Sequence, residues 1–220
     1  MNSSIEHETT LTVGHPLRRA WLLLPLVIAC FGLSPVIQAV SPPPDGGYGS
    51  GNTAEGANAL FSLTSGVWNT ALGYQTLYHV TTGNENTASG FRSLYKNTTG
   101  IQNTATGSQA LFFNTIGYHN AANGYQALYS NTTGYDNTAN GYQALYRNNT
   151  GYFNTANGHQ SLYVNTIGYE NTANGYQALN NDTNGTNNTA NGAYALAGNT
   201  IGVDNAANGS FALYSNARGS

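Results

Sequence analysis

Apolar residues between Gly49 and Ser220 return every 17 positions, at an interval that suits neither a helical stripe nor a long alternating strand. Leu stands at 60, 77, 94, 111, 128, 145, 162, 179, 196 and 213, and Ala at 54, 71, 88, 105, 122, 139, 156, 173, 190 and 207. Gly forms two further series, one from Gly49 to Gly219 and one from Gly56 to Gly209, both stepping by 17 without an insertion or deletion. The unit is G-x-x-N-T-A-x-G-x-x-A-L-x-x-N-T-x, written out clearly in residues 134–150. Numbered within that unit, column 4 is Asn, column 6 Ala and column 12 Leu in all ten copies. Each identity is a structural demand met ten times in one chain.

A 17-residue period is too short for a helix-pair repeat, which takes roughly 30 residues or more, and Asn, Gly and Thr oppose helix. The pattern predicts an all-β parallel β-solenoid, or β-roll, of ten 17-residue coils. Each coil holds two short strands, N-T-A-x-G and Y-Q-A-L-Y, with turns at the N-T-x-G junction and around column 8, where Gly supplies positive φ. Coils stacked at about 4.8 Å make a rod roughly 48 Å long, in which each column lies over itself. Strand alternation puts columns 4, 6 and 8 on one side and columns 5 and 7 on the other, and sets Leu of column 12 opposite columns 9, 11 and 13. The structural ladders are thus represented by Asn137, Ala139, Gly141 and Leu145, with Ala and Leu inside and Asn forming a stacked amide ladder. One Ala and one Leu per coil make a thin core, for which self-association is the expected staple.

Columns 9 and 13 are largely aromatic, and a stripe along a whole rod suits a contact surface. The residues Tyr125, Tyr129, Tyr142, Tyr146 and Tyr163 are the candidate subunit interface. Column 2 carries Tyr118, Tyr135, Tyr152 and Tyr169 on successive coils, a candidate strip for sugars or proteins; the plainer alternative is that they cover the turn.

Composition narrows the chemistry. Only 7% of residues are charged and the net charge is -3, with Arg92, Lys96, Arg147 and Arg218 the only basic residues of the repeats, so nucleic acid is excluded as a partner. In column 3, Glu85, His119, Asp136, Glu170 and Asp204 place only His119 and Asp136 on adjacent coils, too few for a metal or hydrolytic site. Neither enzyme activity nor a cofactor is expected. Asn97, Asn131, Asn148, Asn181, Asn184 and Asn187 fit the N-x-S/T glycosylation pattern, which a repeat built of Asn and Thr generates by itself.

Residues 1–39 read as an export signal: Arg18 and Arg19 precede the apolar run from Ala20 to Ile28, which continues with interruptions by Pro25, Gly32 and Pro35 to Ala39. A Pro/Gly linker at 40–48 leads into the repeat domain at 49–220. The mature protein is therefore expected outside the cytoplasm, secreted or at the cell surface. Cys30, the single cysteine, lies in a stretch loosely like a lipobox and is either a lipid attachment point or part of a discarded peptide.

The run N-T-A-x-G-x-x-A-L, as in 137–145 and 171–179, resembles the head repeats of trimeric autotransporter adhesins and related N-T-A-rich repeats of tail-fibre-like proteins. The resemblance covers 49–220. It implies a left-handed winding, association as a homotrimer and exposed faces that bind host or matrix glycans or proteins, and so an extracellular module for adhesion or for fibre or coat structure. Unlike that family, no coiled-coil stalk, membrane barrel or chaperone domain follows the repeats, which leaves a free module, a lipoprotein and a fragment all open. Two other functions compete: a structural spacer without ligand, and an ice-binding solenoid. The latter would use columns 5 and 7, for example Thr138 and Asn140, Thr155 and Asn157, Thr172 and Asn174, and Thr189 and Asn191.

Overall fold

The computed structural model describes residues 50–219, so the export signal, Cys30 and the linker lie outside the described residues. One three-residue strand recurs in every coil, from β1 (Thr53–Glu55) through β5 (Ala121–Asn123) to β10 (Ala206–Asn208). The ten strands form one parallel sheet in chain order, and the register advances by one repeat at each step, so Ala54 pairs with Ala71 and Ala190 with Ala207. The chain is the β-solenoid that its period implies. Parallel strands need a crossover. Here the return path is the rest of the coil, and it is held to its neighbours above and below as closely as the strand is.

The second arm of each coil corrects the expected Y-Q-A-L-Y strand. It runs as consecutive turns, because two residues in it adopt left-handed backbone: column 10 at φ between 51° and 61° and the Leu of column 12 between 48° and 52°. Column 3 does the same, at 53° to 60° from Trp68 to Asp204. A left-handed conformation costs a non-glycine residue roughly 1–2 kcal/mol, so the fold has to offset it locally. Hydrogen bonding is one source. The Gln143 N–H donates to Tyr125 O of the preceding coil at 2.9 Å, while those of Leu145 and Arg147 donate to Ser161 O and Tyr163 O of the following coil, each at 3.0 Å. Buried backbone groups must be paired somewhere, and neighbouring coils take the place of a ladder partner.

Leaving the extended region also cancels the two-residue alternation of side chains. Column 11 therefore turns inward beside column 12 instead of outward with the aromatics: Ala144 and Leu145 are both fully buried. The core holds two small residues and one Leu per coil, as in Ala139, Ala144 and Leu145, and is thicker than expected. Burying one Leu side chain contributes about 1.5–3 kcal/mol, the second source that offsets the backbone strain.

The two glycine series have different jobs. Column 8 has φ between 120° and 141°, which suits Gly almost alone, and its backbones nearly touch: a Cβ at Gly141 would sit 2.5 Å from Gly158 O. From Gly66 onward the buried column 1 glycines have no positive φ, contrary to the expected glycine turn at that junction. They are Gly for want of space, since a Cβ at Gly134 would strike both Asn131 Oδ1 and Gly151 O.

Gly141→Ala combines clash with strain, and Leu145→Ala opens a cavity that costs about 2–5 kcal/mol. Both are expected to lower the urea midpoint of unfolding. A wild-type midpoint for Gly141→Ala would contradict the close coil-to-coil approach.

Candidate functional surfaces around a polar interior

The interior contains amide ladders as well as apolar side chains. In column 4, Asn137 Nδ2 donates to Asn120 Oδ1 at 3.0 Å and to Gly151 O at 2.9 Å, and its own Oδ1 accepts from Asn154 N and Asn154 Nδ2, both at 3.1 Å. One side chain thus ties together the coil above, the coil below and the corner glycine. This is the stacked ladder expected from the sequence.

A second buried ladder in column 15 was not expected. Asn114, Asn131, Asn148 and Asn165 each donate from Nδ2 to the Oδ1 of the preceding coil at 2.7–2.9 Å, and to the glycine oxygen three residues on at 2.9–3.0 Å. Column 15 looks like a turn position because Asn followed by Thr and Gly favours turns. Its recurrence was the only available signal. Asn97, Asn131 and Asn148, which match the glycosylation pattern, belong to this fully buried ladder and are out of reach of modification.

Column 15 carries one acid. Asp182 replaces the amide in the eighth coil and is fully buried. Its Oδ1 accepts from Gly185 N at 2.9 Å and from Asn199 Nδ2 at 3.1 Å. Burial pushes its carboxyl up to about 7, against smaller opposing effects from those hydrogen bonds and one from Asn188.

Outside, two more amide ladders run along the rod. Asn123, Asn140, Asn157, Asn174, Asn191 and Asn208 link at 2.8–3.0 Å on the sheet face, and Gln109, Gln126, Gln143, Gln160 and Gln177 link at 2.8–3.0 Å over the second arm. The two Thr columns differ. In column 16 the hydroxyls donate to the next coil, as Thr115 Oγ1 does to Thr132 O at 2.9 Å. In column 5, Thr138, Thr155, Thr172 and Thr189 lie on the sheet face, and their hydroxyls make no hydrogen bond among the described residues.

The candidate binding tyrosines do come together. Tyr118, Tyr135, Tyr152 and Tyr169 stack with ring centroids 4.8–5.0 Å apart and planes within 8°. Because each ring face is covered by the next ring, the strip offers edges and hydroxyls, where a sugar ring prefers an open aromatic face. The Tyr152 hydroxyl is pushed above the usual tyrosine range, first by desolvation and then by the neighbouring Tyr169 and Tyr135.

The candidate interface residues separate into two stacks. Tyr129, Tyr146 and Tyr163 are half-buried members of a seven-ring column running from Phe61 through Tyr78, Tyr95 and Phe112, with centroids 4.9–5.3 Å apart. Tyr125 and Tyr142 stand in another, 5.4 Å apart and 45% exposed, and His159 and Tyr176 continue it. Column 9 is the more open stripe.

The column 3 pair is part of a surface chain. His119 Nδ1 lies 3.1 Å from Asp136 Oδ1, its Nε2 lies 2.6 Å from Gln102 Oε1, and Gln102 Nε2 donates to Glu85 Oε2 at 2.8 Å. The two ring nitrogens face acceptors on opposite coils, so the chain serves as a polar strap across four coils.

Compared with protein-family models, with curated proteins and with solved structures, the chain finds no match in any of the three.

Asn137→Ala would leave the buried Asn154 N–H without an acceptor, at about 1–3 kcal/mol for a buried unsatisfied group, while Gly151 O keeps its donor from Asn148. Asn140→Ala on the outer ladder is expected to stay within roughly 0.5 kcal/mol of wild type, as surface changes usually do. Equal unfolding midpoints for the two variants would contradict the inner ladder's role.

Proposed function

We propose that this chain is an extracellular rod-forming repeat module that serves in surface adhesion or in fibre or coat structure, without catalysis. The observation that carries the reading is the column 9 stripe. Tyr125, Tyr142 and Tyr176 expose 44–45% of their surface along one line of a rod whose interior is packed with Ala, Leu and amide ladders. A row of exposed rings suits contact between elongated molecules, where each ring edge repeats at the spacing of a coil. Apolar patches of that extent usually mark interaction surfaces.

The partner proposed first is a second and third copy of the chain, the homotrimer that the adhesin-like repeats suggest. Host or matrix glycans and proteins come second. For them the Tyr118 to Tyr169 strip would act through hydroxyls and ring edges, because its faces are used in stacking. Location outside the cell rests on the export signal read in residues 1–39.

Light scattering on the mature chain is expected to give three times the protomer mass, and Tyr125→Ser with Tyr142→Ser to shift it toward the protomer. A monomer at high concentration would rule out the trimeric reading. Glycan and matrix arrays then separate adhesion from a purely structural role, with binding reduced by Tyr135→Ser and Tyr152→Ser if the strip is used.

One observation favours a second reading, the ordering of water or ice. The unbonded Thr hydroxyls of column 5 and the Asn ladder of column 7 share the sheet face, repeating once per coil. Against regularity, column 5 is Ala at Ala121 and Ala206, and column 7 starts as Glu55, Leu72 and Ser89. If this face orders ice, thermal hysteresis appears and is lost in Thr155→Lys; its absence at high concentration would exclude the function.

A further inference from the structure

We propose that Asp182 carries a proton on Oδ2 in the folded protein and donates it to Asn165 Oδ1, so that the junction between the seventh and eighth coils is a proton-dependent link. The acid makes a defect in its ladder. In the four steps from Asn114 to Asn165, an amide Nδ2 donates to the Oδ1 of the preceding coil. At the next step there is no amide. Three buried side-chain oxygens among the described residues lack a partner: Asn165 Oδ1 and Asp182 Oδ2 on the two sides of this step, and Asn199 Oδ1 one coil further on. The two at this step are both acceptors if the acid is ionised.

A protonated carboxyl has a carbonyl oxygen that accepts and one O–H that donates, so it reproduces the amide's acceptor and one of its two donors, the one that the ladder aims at the preceding coil. With the proton on Oδ2, Asp182 replaces the missing amide: Oδ1 accepts from Gly185 N and Asn199 Nδ2, as it does in the structure, and Oδ2 donates to Asn165 Oδ1. One proton satisfies both orphaned atoms of this step. Ionisation instead sets a buried negative oxygen against another oxygen, the costliest arrangement for such a site.

The groups acting on Asp182 are neutral: the Gly185 N–H and the amides of Asn199 and Asn188. With no cation among the described residues to hold the ionised form, burial dominates and moves the carboxyl from 3.8 to about 7. For a folded-state value raised above the unfolded one, the stabilising contribution is complete below the unfolded value and is lost as pH rises through the folded value. The window is therefore from about 4 to about 7. Within it, unfolding releases one proton, so each pH unit lowers the folding equilibrium constant about tenfold. The other acids of the repeats sit in exposed or half-exposed columns, and His79, whose value is lowered by burial and by Lys96 and so acts in the opposite direction with pH, lies six coils away, so exchange around Asn165 and Gly185 reads Asp182.

The test compares the full-length wild type with Asp182→Asn, which restores the amide, and with the surface control Asp136→Asn. Amide hydrogen exchange around Asn165 and Gly185, corrected for intrinsic rates, is measured from pH 5 to 9, because stacked repeats can open locally. Protection in the wild type is expected to fall about tenfold per pH unit up to about 7, and Asp182→Asn to be flat and better protected at pH 8. Asp136→Asn should follow the wild type. Infrared spectra supply a second reading that does not depend on folding of the variant. At pH 6, wild type should show the carbonyl stretch of a protonated carboxylic acid, lost on raising pH through about 7 in step with protection. Wild-type slope retained in Asp182→Asn, or a carboxyl that ionises in the ordinary carboxylate range, would overturn the proposal.

Discussion

Everything in this fold depends on coil-to-coil hydrogen bonding held in one register. The strand supplies three residues of ladder per coil, which is little for a parallel sheet. Side-chain amides extend the same ladder into the interior. Asn137 shows why one residue type is repeated without exception: a single carboxamide accepts from the coil below while donating to the coil above and to a corner glycine. Serine, too short, and aspartate, lacking the donors, cannot do both. An inserted or deleted residue would displace every amide beyond it from its partner, which accounts for a 17-residue period without interruption.

The left-handed residues follow from the same constraint. A coil of 17 residues has to close on itself in a short perimeter while presenting its N–H and C=O groups along the rod axis. Extended backbone does that but does not turn; an ordinary helical turn bends but points its groups along the helix. Alternating into left-handed backbone at Gln143 and Leu145 bends the chain and keeps N–H groups directed at neighbouring coils. Leu at such a position is unfavourable in isolation. It persists because its side chain fills the core and its N–H is satisfied, and both hold only in the stack.

The outer surface inherits its regularity from the interior. Once columns superimpose, aromatic residues in one column have to meet face to face about one strand spacing apart, and amides have to meet donor to acceptor. The aromatic stacks and the Gln and outer Asn ladders thus result from periodicity as much as from selection for a ligand. What differs between columns is what they leave open: ring edges in columns 2 and 9, unbonded hydroxyls in column 5. Those openings are where any partner would be recognised.

The repeat itself was legible in the sequence, as were the all-β solenoid, the stacking of like on like, the buried Asn of column 4, and the Ala and Leu core. Strict spacing was sufficient for these because identical coils can only superimpose in register. The second arm was not legible. A pattern such as Y-Q-A-L-Y satisfies strand propensity, and the left-handed backbone that replaces the strand is favoured by nothing local; it is decided by closure of the coil and by contacts with coils that the segment alone does not contain. The same holds for column 15, whose Asn suits a surface turn in isolation and becomes an interior ladder only when the corner folds inward. Asp182 stands at the limit of what sequence determines: it marks a change of side chain in one copy, while its burial, its unpartnered oxygen and its raised carboxyl exist only because the coils above and below exclude water from it.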